Sequence, residues 1–182
     1  MTDTQPFSRS LKKILFHRQS AFLLILVSAF AVSAFKPIKP SPSRAEDAAI
    51  MQFRSEVIGY AQNFLGLRYR SAGHSPKTGF DCSGFTNFIL DEFGVKVSTS
   101  SFTQSRQGLK VSLNDVLPGD LIFFGGRGRI QHVAMVIEKT AEGIFCVHST
   151  CTRGIVVENI STSKYWKPKI LFARDVISAQ AG

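Results

Sequence analysis

Cys82 lies between the turn residues Gly79-Phe80-Asp81 and the run Ser83-Gly84-Phe85. Asp81 is a good helix N-cap, and Phe85, Ile89 and Phe93 follow at i, i+4 and i+8, so Cys82 is expected in the first turn of a buried helix. There the partial positive charge of the helix terminus favours a thiolate, and free backbone N–H groups can receive a developing oxyanion. The chemistry on offer is nucleophilic attack on a carbonyl. The competing reading is a small core residue, the ordinary role of a cysteine flanked by phenylalanines.

Two downstream histidines weigh against that bland reading. His132 opens the apolar run Val133-Ala134-Met135-Val136-Ile137, and His148 sits in the short strand-like run Phe145-Cys146-Val147-His148-Ser149. Nucleophile on a helix, base at a strand start and orienter one strand later is the order that thiol catalysis needs. Period-two alternation puts Cys146 and His148 on one face and Phe145 and Val147 on the other. His74 is the rival base, but it falls in a polar loop, Leu67 to Thr78, with nothing regular to orient it.

With these residues in view, the chain resembles the NlpC-type cell-wall cysteine peptidases, a family with a papain-like fold. The resemblance rests on Leu65-Gly66-Leu67-Arg68-Tyr69, Asp81-Cys82-Ser83-Gly84-Phe85, Leu117-Pro118-Gly119-Asp120 with Leu121 to Phe124, His132-Val133-Ala134, His148 and Tyr165-Trp166, in that order. It implies an enzyme that hydrolyses peptide stems of peptidoglycan through an acyl-thioester, commonly between γ-D-glutamate and a diamino acid such as meso-diaminopimelate, while some relatives cut cross-links. It also implies catalytic roles for Cys82, His132 and His148, and places Tyr69, Asp81, Ser83 and Ser101 near the substrate. Arg70 is a further polar candidate from its position alone. No cofactor is implied.

Other function classes stay in play. Cys82, His132 and His148 are also zinc-ligand types, although no paired C-x-x-C is present. A wall-binding module without turnover, or an acyltransferase, would share much of the pattern. Gly125-Gly126-Arg127-Gly128 is not a phosphate loop, since the Lys-Ser/Thr ending is missing.

The elements that must position these groups follow from patterning. Ile50, Phe53, Val57, Ala61 and Phe64 share one helical face, with Gly66 as a stop. After the cysteine helix and Gly94, Val95 to Lys110 reads as a polar connector. Strands are expected at 121–124, 131–138, 144–149 and 154–160, at hairpin spacing. The sum is an α+β domain, with early helices packed on a central antiparallel sheet.

At 182 residues, 44% hydrophobic and 19% charged, the chain fits one globular domain. Arg9, Lys12, Lys13 and Arg18 precede the apolar run Ala21 to Phe35, which ends in Val32-Ser33-Ala34. Residues 1–34 are therefore expected to be a signal peptide cut after Ala34, with a cut after Ala45 or an uncleaved anchor as alternatives. Residues 35–48 read as a linker with Pro37, Pro40 and Pro42, residues 49–177 as the peptidase domain and 178–182 as a tail.

Export to the periplasm, cell wall or medium follows from that reading, as a monomer that is not inserted in a membrane after cleavage. The formal charge of +9 falls to +6 without residues 1–34. In an exported protein such a balance suits an anionic wall polymer or carboxylate-rich peptide rather than nucleic acid. Three cysteines leave at least one unpaired; Cys146 and Cys151 could close a small hairpin bridge, though so short a loop gains little.

Overall fold

The computed structural model describes residues 43–180. The expected signal peptide and most of the linker fall outside them. Helix α1 spans Arg44–Gln62, opened by a capping box in which Ser43 and Glu46 satisfy each other's backbone N–H groups. Residues 44–48, expected in the linker, are thus helical: the Ser-x-x-Glu signature outweighs the proline-rich stretch before it. The helix ends four residues before Gly66, which instead closes the following turn at φ +82°.

A small hairpin follows, β1 (His74–Ser75) with β2 (Gly79–Phe80), and leads directly into α2 (Cys82–Glu92). Helix α2 was legible from its apolar spacing, and Phe85 and Ile89 are fully buried. Burying side chains of this size contributes about 1.5–3 kcal/mol each. Tyr60 of α1 meets Phe88 of α2 and its cap Phe93, and Phe64, in the turn after α1, also meets Phe88, at ring separations between 5.5 and 6.5 Å. Most of these contacts are edge-to-face, the geometry aromatic quadrupoles favour. They lock the two helices together.

The remaining chain forms one turn of helix, α3 (Ser101–Gln104), and six strands: β3 (Leu109–Val111), β4 (Leu121–Gly126), β5 (Arg129–Thr140), β6 (Gly143–Thr150), β7 (Gly154–Asn159) and β8 (Ile170–Asp175). They make one antiparallel sheet in the order β3-β8-β4-β5-β6-β7. The four central and outer strands match expectation within a few residues. β8 and β3 do not. β3 falls largely in the stretch read as a polar connector, and no strand was expected at β8, which inserts between β3 and β4 by a long-range pairing that no local pattern announces.

Alternation along the strands builds two cores. Phe123, Val133, Met135 and Val147 pack under the helices with Phe85 and Ile89, while Ile122, Phe124, Ala134, Cys146 and Trp166 pack on the opposite face. Arg54, fully buried on α1, fastens helix to sheet. Its guanidinium donates to Pro118 O at 2.8 Å and Asp120 Oδ1 at 2.9 Å, and pairs with Asp175 Oδ1 at 2.7 Å. Ser178, expected to begin a tail, is held: its Oγ accepts from Arg54 at 3.0 Å. No described helix is long and apolar enough to cross a membrane.

Candidate active site

The helix that carries the nucleophile candidate is held at its first turn. Asp81 Oδ1 accepts from the Gly84 N–H at 2.6 Å and from Ser83 Oγ at 3.2 Å. Asp81 N–H in turn donates to Gly73 O at 2.9 Å, so the loop before the hairpin lies against the helix terminus. The approach is so close that a Cβ on Gly84 would stand 2.1 Å from Gly73 O. The glycine two residues after Cys82 is thus a packing requirement.

Cys82 opens α2 and lines a cleft of about 170 Å³ with Tyr69, Phe124, Gln131, His132, Cys151, Trp166 and Lys169, among others. Tyr69 reaches it because Gly66 N–H donates to Ile155 O, and Ile155 N–H to Leu67 O, each at 2.9 Å. Those bonds tie the loop to β7. His132 reaches it from β5, where Phe124 is its register partner and the Trp166 ring stacks on its imidazole at 4.5 Å.

Met135 pairs with Val147 across β5 and β6, and continuing that register sets His132 diagonal to His148 on one face. Their rings meet, His132 Nε2 to His148 Nδ1, at 2.9 Å. That leaves Nδ1 of His132 for the thiol. His148 Nε2 lies 2.9 Å from Glu158 Oε2, and the same oxygen accepts from Trp166 Nε1 at 2.9 Å and from Arg153 Nη2 at 2.6 Å.

Burial pushes the Cys82 thiol up, assisted by the charge of Asp81; N–H groups of Val133, Ser83 and Cys82 itself offset this only in part. Burial likewise pushes His132 down to about 3, with His148 adding to the effect and Glu158 opposing it. His148 is lowered too, again chiefly by burial, and Glu158 holds it back. The resting site therefore favours a neutral thiol beside a neutral imidazole. The helix terminus alone suggests a standing thiolate; desolvation by the surrounding core is the larger effect. What the arrangement can do is pass the sulfur's proton to His132 as the sulfur attacks.

The other expected residues fall at different distances from this centre. Tyr69 is in the cleft, its hydroxyl pushed up first by burial and then by the nearby Cys82. Asp81 caps the helix and lines a separate cavity of about 240 Å³ with Gly73, His74 and Thr99. Ser83 is buried against Asp81. Ser101 begins α3 and lines neither cavity. Arg70 is exposed.

His74 is in a strand after all, but it is exposed, with Nδ1 3.3 Å from Ala72 O, and does not line the Cys82 cleft. The hairpin bridge between Cys146 and Cys151 is not formed. Cys146 is buried in the second core, while Cys151 is exposed in the β6–β7 turn at the cleft, and all three cysteines are free. Among the described residues no group of three or more His, Cys, Asp or Glu is arranged to hold a metal ion.

Glu158 and Lys169 were missed from the sequence. Glu158 had a signal: it lies two residues along β7 from Val156, the register partner of His148, and so on the face of that histidine.

The family model for "NlpC/P60 family" matches residues 66–175, which hold every element of the cleft. The chain is 30% identical over 146 residues to a gamma-DL-glutamyl hydrolase of Bacillus subtilis, covering 78% of this chain and 34% of that protein. It is 30% identical over 126 residues to the murein DD-endopeptidase MepS/murein LD-carboxypeptidase of Escherichia coli, covering 69% of this chain and 64% of the relative. It thus spans about a third of the first and under two thirds of the second.

A crystal structure of an NlpC/P60 family protein from Bacillus cereus superposes with a TM-score of 0.62 at 32% identity, over 76% of this chain and 41% of that one. Helices packed on a six-stranded antiparallel sheet, a cysteine at a helix start facing a strand histidine, and a family model spanning most of the described residues lead to one assignment: this chain belongs to the NlpC/P60 family, with its papain-like α+β fold.

Proposed function

We propose that the protein is an exported cysteine endopeptidase that hydrolyses peptide stems of peptidoglycan, at the bond between γ-D-glutamate and a diamino acid such as meso-diaminopimelate. The observation that carries this reading is the convergence of Cys82 and His132 in one cleft, with His148 2.9 Å behind the far nitrogen of His132. In the reaction, Cys82 gives its proton to His132 Nδ1 while the sulfur bonds the amide carbon. The oxyanion is received by N–H groups of the α2 first turn, with the Tyr69 hydroxyl beside them. Collapse breaks the C–N bond, and the leaving amine takes the proton from His132. Water, deprotonated by His132, then releases the acyl group and restores the thiol.

Lys169 supports a carboxylate-bearing substrate. It lines the cleft with its ammonium over the Tyr165 ring, where it can attract an acidic peptide without filling the site. Its approach favours an anionic stem peptide over a neutral one. Asp81, Ser83 and Ser101 are placed on the substrate side by resemblance alone: Asp81 lines the separate cavity with Gly73, and neither Ser83 nor Ser101 lines the Cys82 cleft. The 2.9 Å approach of the two imidazoles leaves no room for a zinc ion between them, since each Zn–N bond alone takes roughly 2.0 Å.

A second reading, cleavage of peptide cross-links, draws on the similarity to the murein DD-endopeptidase. Mass analysis of muropeptides released from purified sacculi separates the two. New termini at γ-D-glutamate support the stem reading; loss of cross-linked dimers, with stems intact, supports the alternative. Release of nothing would leave a wall-binding module and contradict both. We place the protein outside the cytoplasm and expect it to act as a monomer.

A further inference from the structure

We infer that Glu158 is a positioning residue that sets the tautomers of both histidines, so that His132 presents an unprotonated Nδ1 to Cys82. The inference rests on the proposed role of the cysteine and histidine, and goes beyond it by adding a fourth member.

The argument is one of hydrogen-bond polarity. Glu158 Oε2 receives the Arg153 guanidinium at 2.6 Å and the Trp166 indole N–H at 2.9 Å. Burial would raise its carboxyl, but these donors and His148 outweigh burial and hold it below the usual range. It is therefore a carboxylate, which can only accept. The ring nitrogen 2.9 Å away, His148 Nε2, must then carry a proton.

In a neutral His148 the other nitrogen, Nδ1, is left with a lone pair. His132 Nε2, 2.9 Å from it, must be the donor. A neutral His132 protonated on Nε2 has its lone pair on Nδ1. Any other neutral arrangement sets two lone pairs, or a lone pair and a carboxylate oxygen, face to face at hydrogen-bond distance in a site sheltered from water. Each such contact forfeits a hydrogen bond and leaves buried polar atoms unsatisfied.

Glu158 acts on His132 by a second route. Trp166, which donates to Glu158, stacks on the His132 ring at 4.5 Å with 23° between the planes. The carboxylate thus holds both the hydrogen-bond partner of His132 and the surface it lies on. When His132 takes the thiol proton, the Glu158 charge stabilises the resulting imidazolium, while Arg153 acts against protonation of His148. In length the relay is two diagonals across three strands, β5 to β6 to β7.

The test uses the purified protein with 15N-labelled histidine. In the wild type, the 15N shifts should show both His132 and His148 protonated on Nε2; a proton on Nδ1 of either neutral ring overturns the proposal without any variant being made. Glu158→Ala should then lower kcat on stem peptide about 10- to 100-fold with KM within about threefold, the scale at which partners one step behind a working histidine act in metal sites. New ring-nitrogen signals should mark the other tautomer.

Glu158→Gln keeps an accepting oxygen and should recover most of the lost rate and the wild-type tautomers. A Glu158→Ala enzyme with wild-type kcat, or one that loses kcat with the tautomers unchanged, overturns the proposal. Wild-type protein that turns over no peptidoglycan would sink the proposed function, while the ring-nitrogen shifts would still decide the role of Glu158.

Discussion

A thiol at a helix start is pulled in two directions, by the positive terminus toward the thiolate and by a dry surround toward the neutral form. At Cys82 the surround prevails, and burial likewise holds His132, in the same cleft, well below the ordinary imidazole range. The sulfur is therefore not a standing nucleophile. Its reactivity arises when an electrophile is seated and His132 can take the proton in the same event, which limits indiscriminate oxidation of the thiol. The alkylation rate of Cys82 by iodoacetamide, mapped by peptide mass to separate it from the exposed Cys151, should climb with pH and go on climbing past the ordinary thiol value of 9.0. A rate already flat in mildly acid solution would mean a resting thiolate and imidazolium pair.

At the scale of elements, α2 is aimed by its contact with the Gly73 loop rather than by its own propensity. Gly84→Ala would drive a methyl into Gly73 O, and the backbone must shift to relieve it. A loss of about 1–3 kcal/mol is expected, the usual cost of overpacking, together with a fall in kcat, because Cys82 is two residues away in the same turn. Thermal unfolding and turnover measured side by side check this; an unaltered melting temperature and rate would show that the loop yields freely.

Local signals explain what was legible here. Asp81 as a cap and Phe85 and Ile89 at helical spacing announced α2, and short apolar runs at hairpin spacing announced β4 to β7. What was not local was not legible. β8 owes its place to pairing with β4, and Glu158 reads as an ordinary strand carboxylate until the β6–β7 register sets it beside His148. Arg54 escaped notice for the same reason: its carboxylate partners, Asp120 and Asp175, are far along the chain.

In the molecule as a whole, that arginine joins the helical layer to the sheet. Asp120 stands just before β4 and Asp175 at the end of β8, so one guanidinium ties α1 to two adjacent strands. Burial raises Asp120 to about 6 despite the Leu117 N–H and Arg54, so the cluster depends on the cation to keep its charge. Arg54→Ala would strand two carboxylates in the interior, and a loss of about 3–5 kcal/mol is expected in denaturant unfolding. A loss below 1 kcal/mol would mean that water or rearrangement replaces the guanidinium. The cleft takes Phe124 and Gly125 from the opposite end of β4 to Asp120, so a surviving fraction of Arg54→Ala protein should keep its KM.

The central claim, that sulfur 82 and imidazole 132 work as one catalytic unit, is tested most directly by the rate of stem-peptide hydrolysis in Cys82→Ala, His132→Ala and the double variant. Each single change should lower kcat by about 10,000-fold or more with the melting temperature nearly kept, and the double variant should be no worse than either, as expected of residues that act as a unit. Appreciable turnover in either single variant, or losses that multiply in the double, would contradict it.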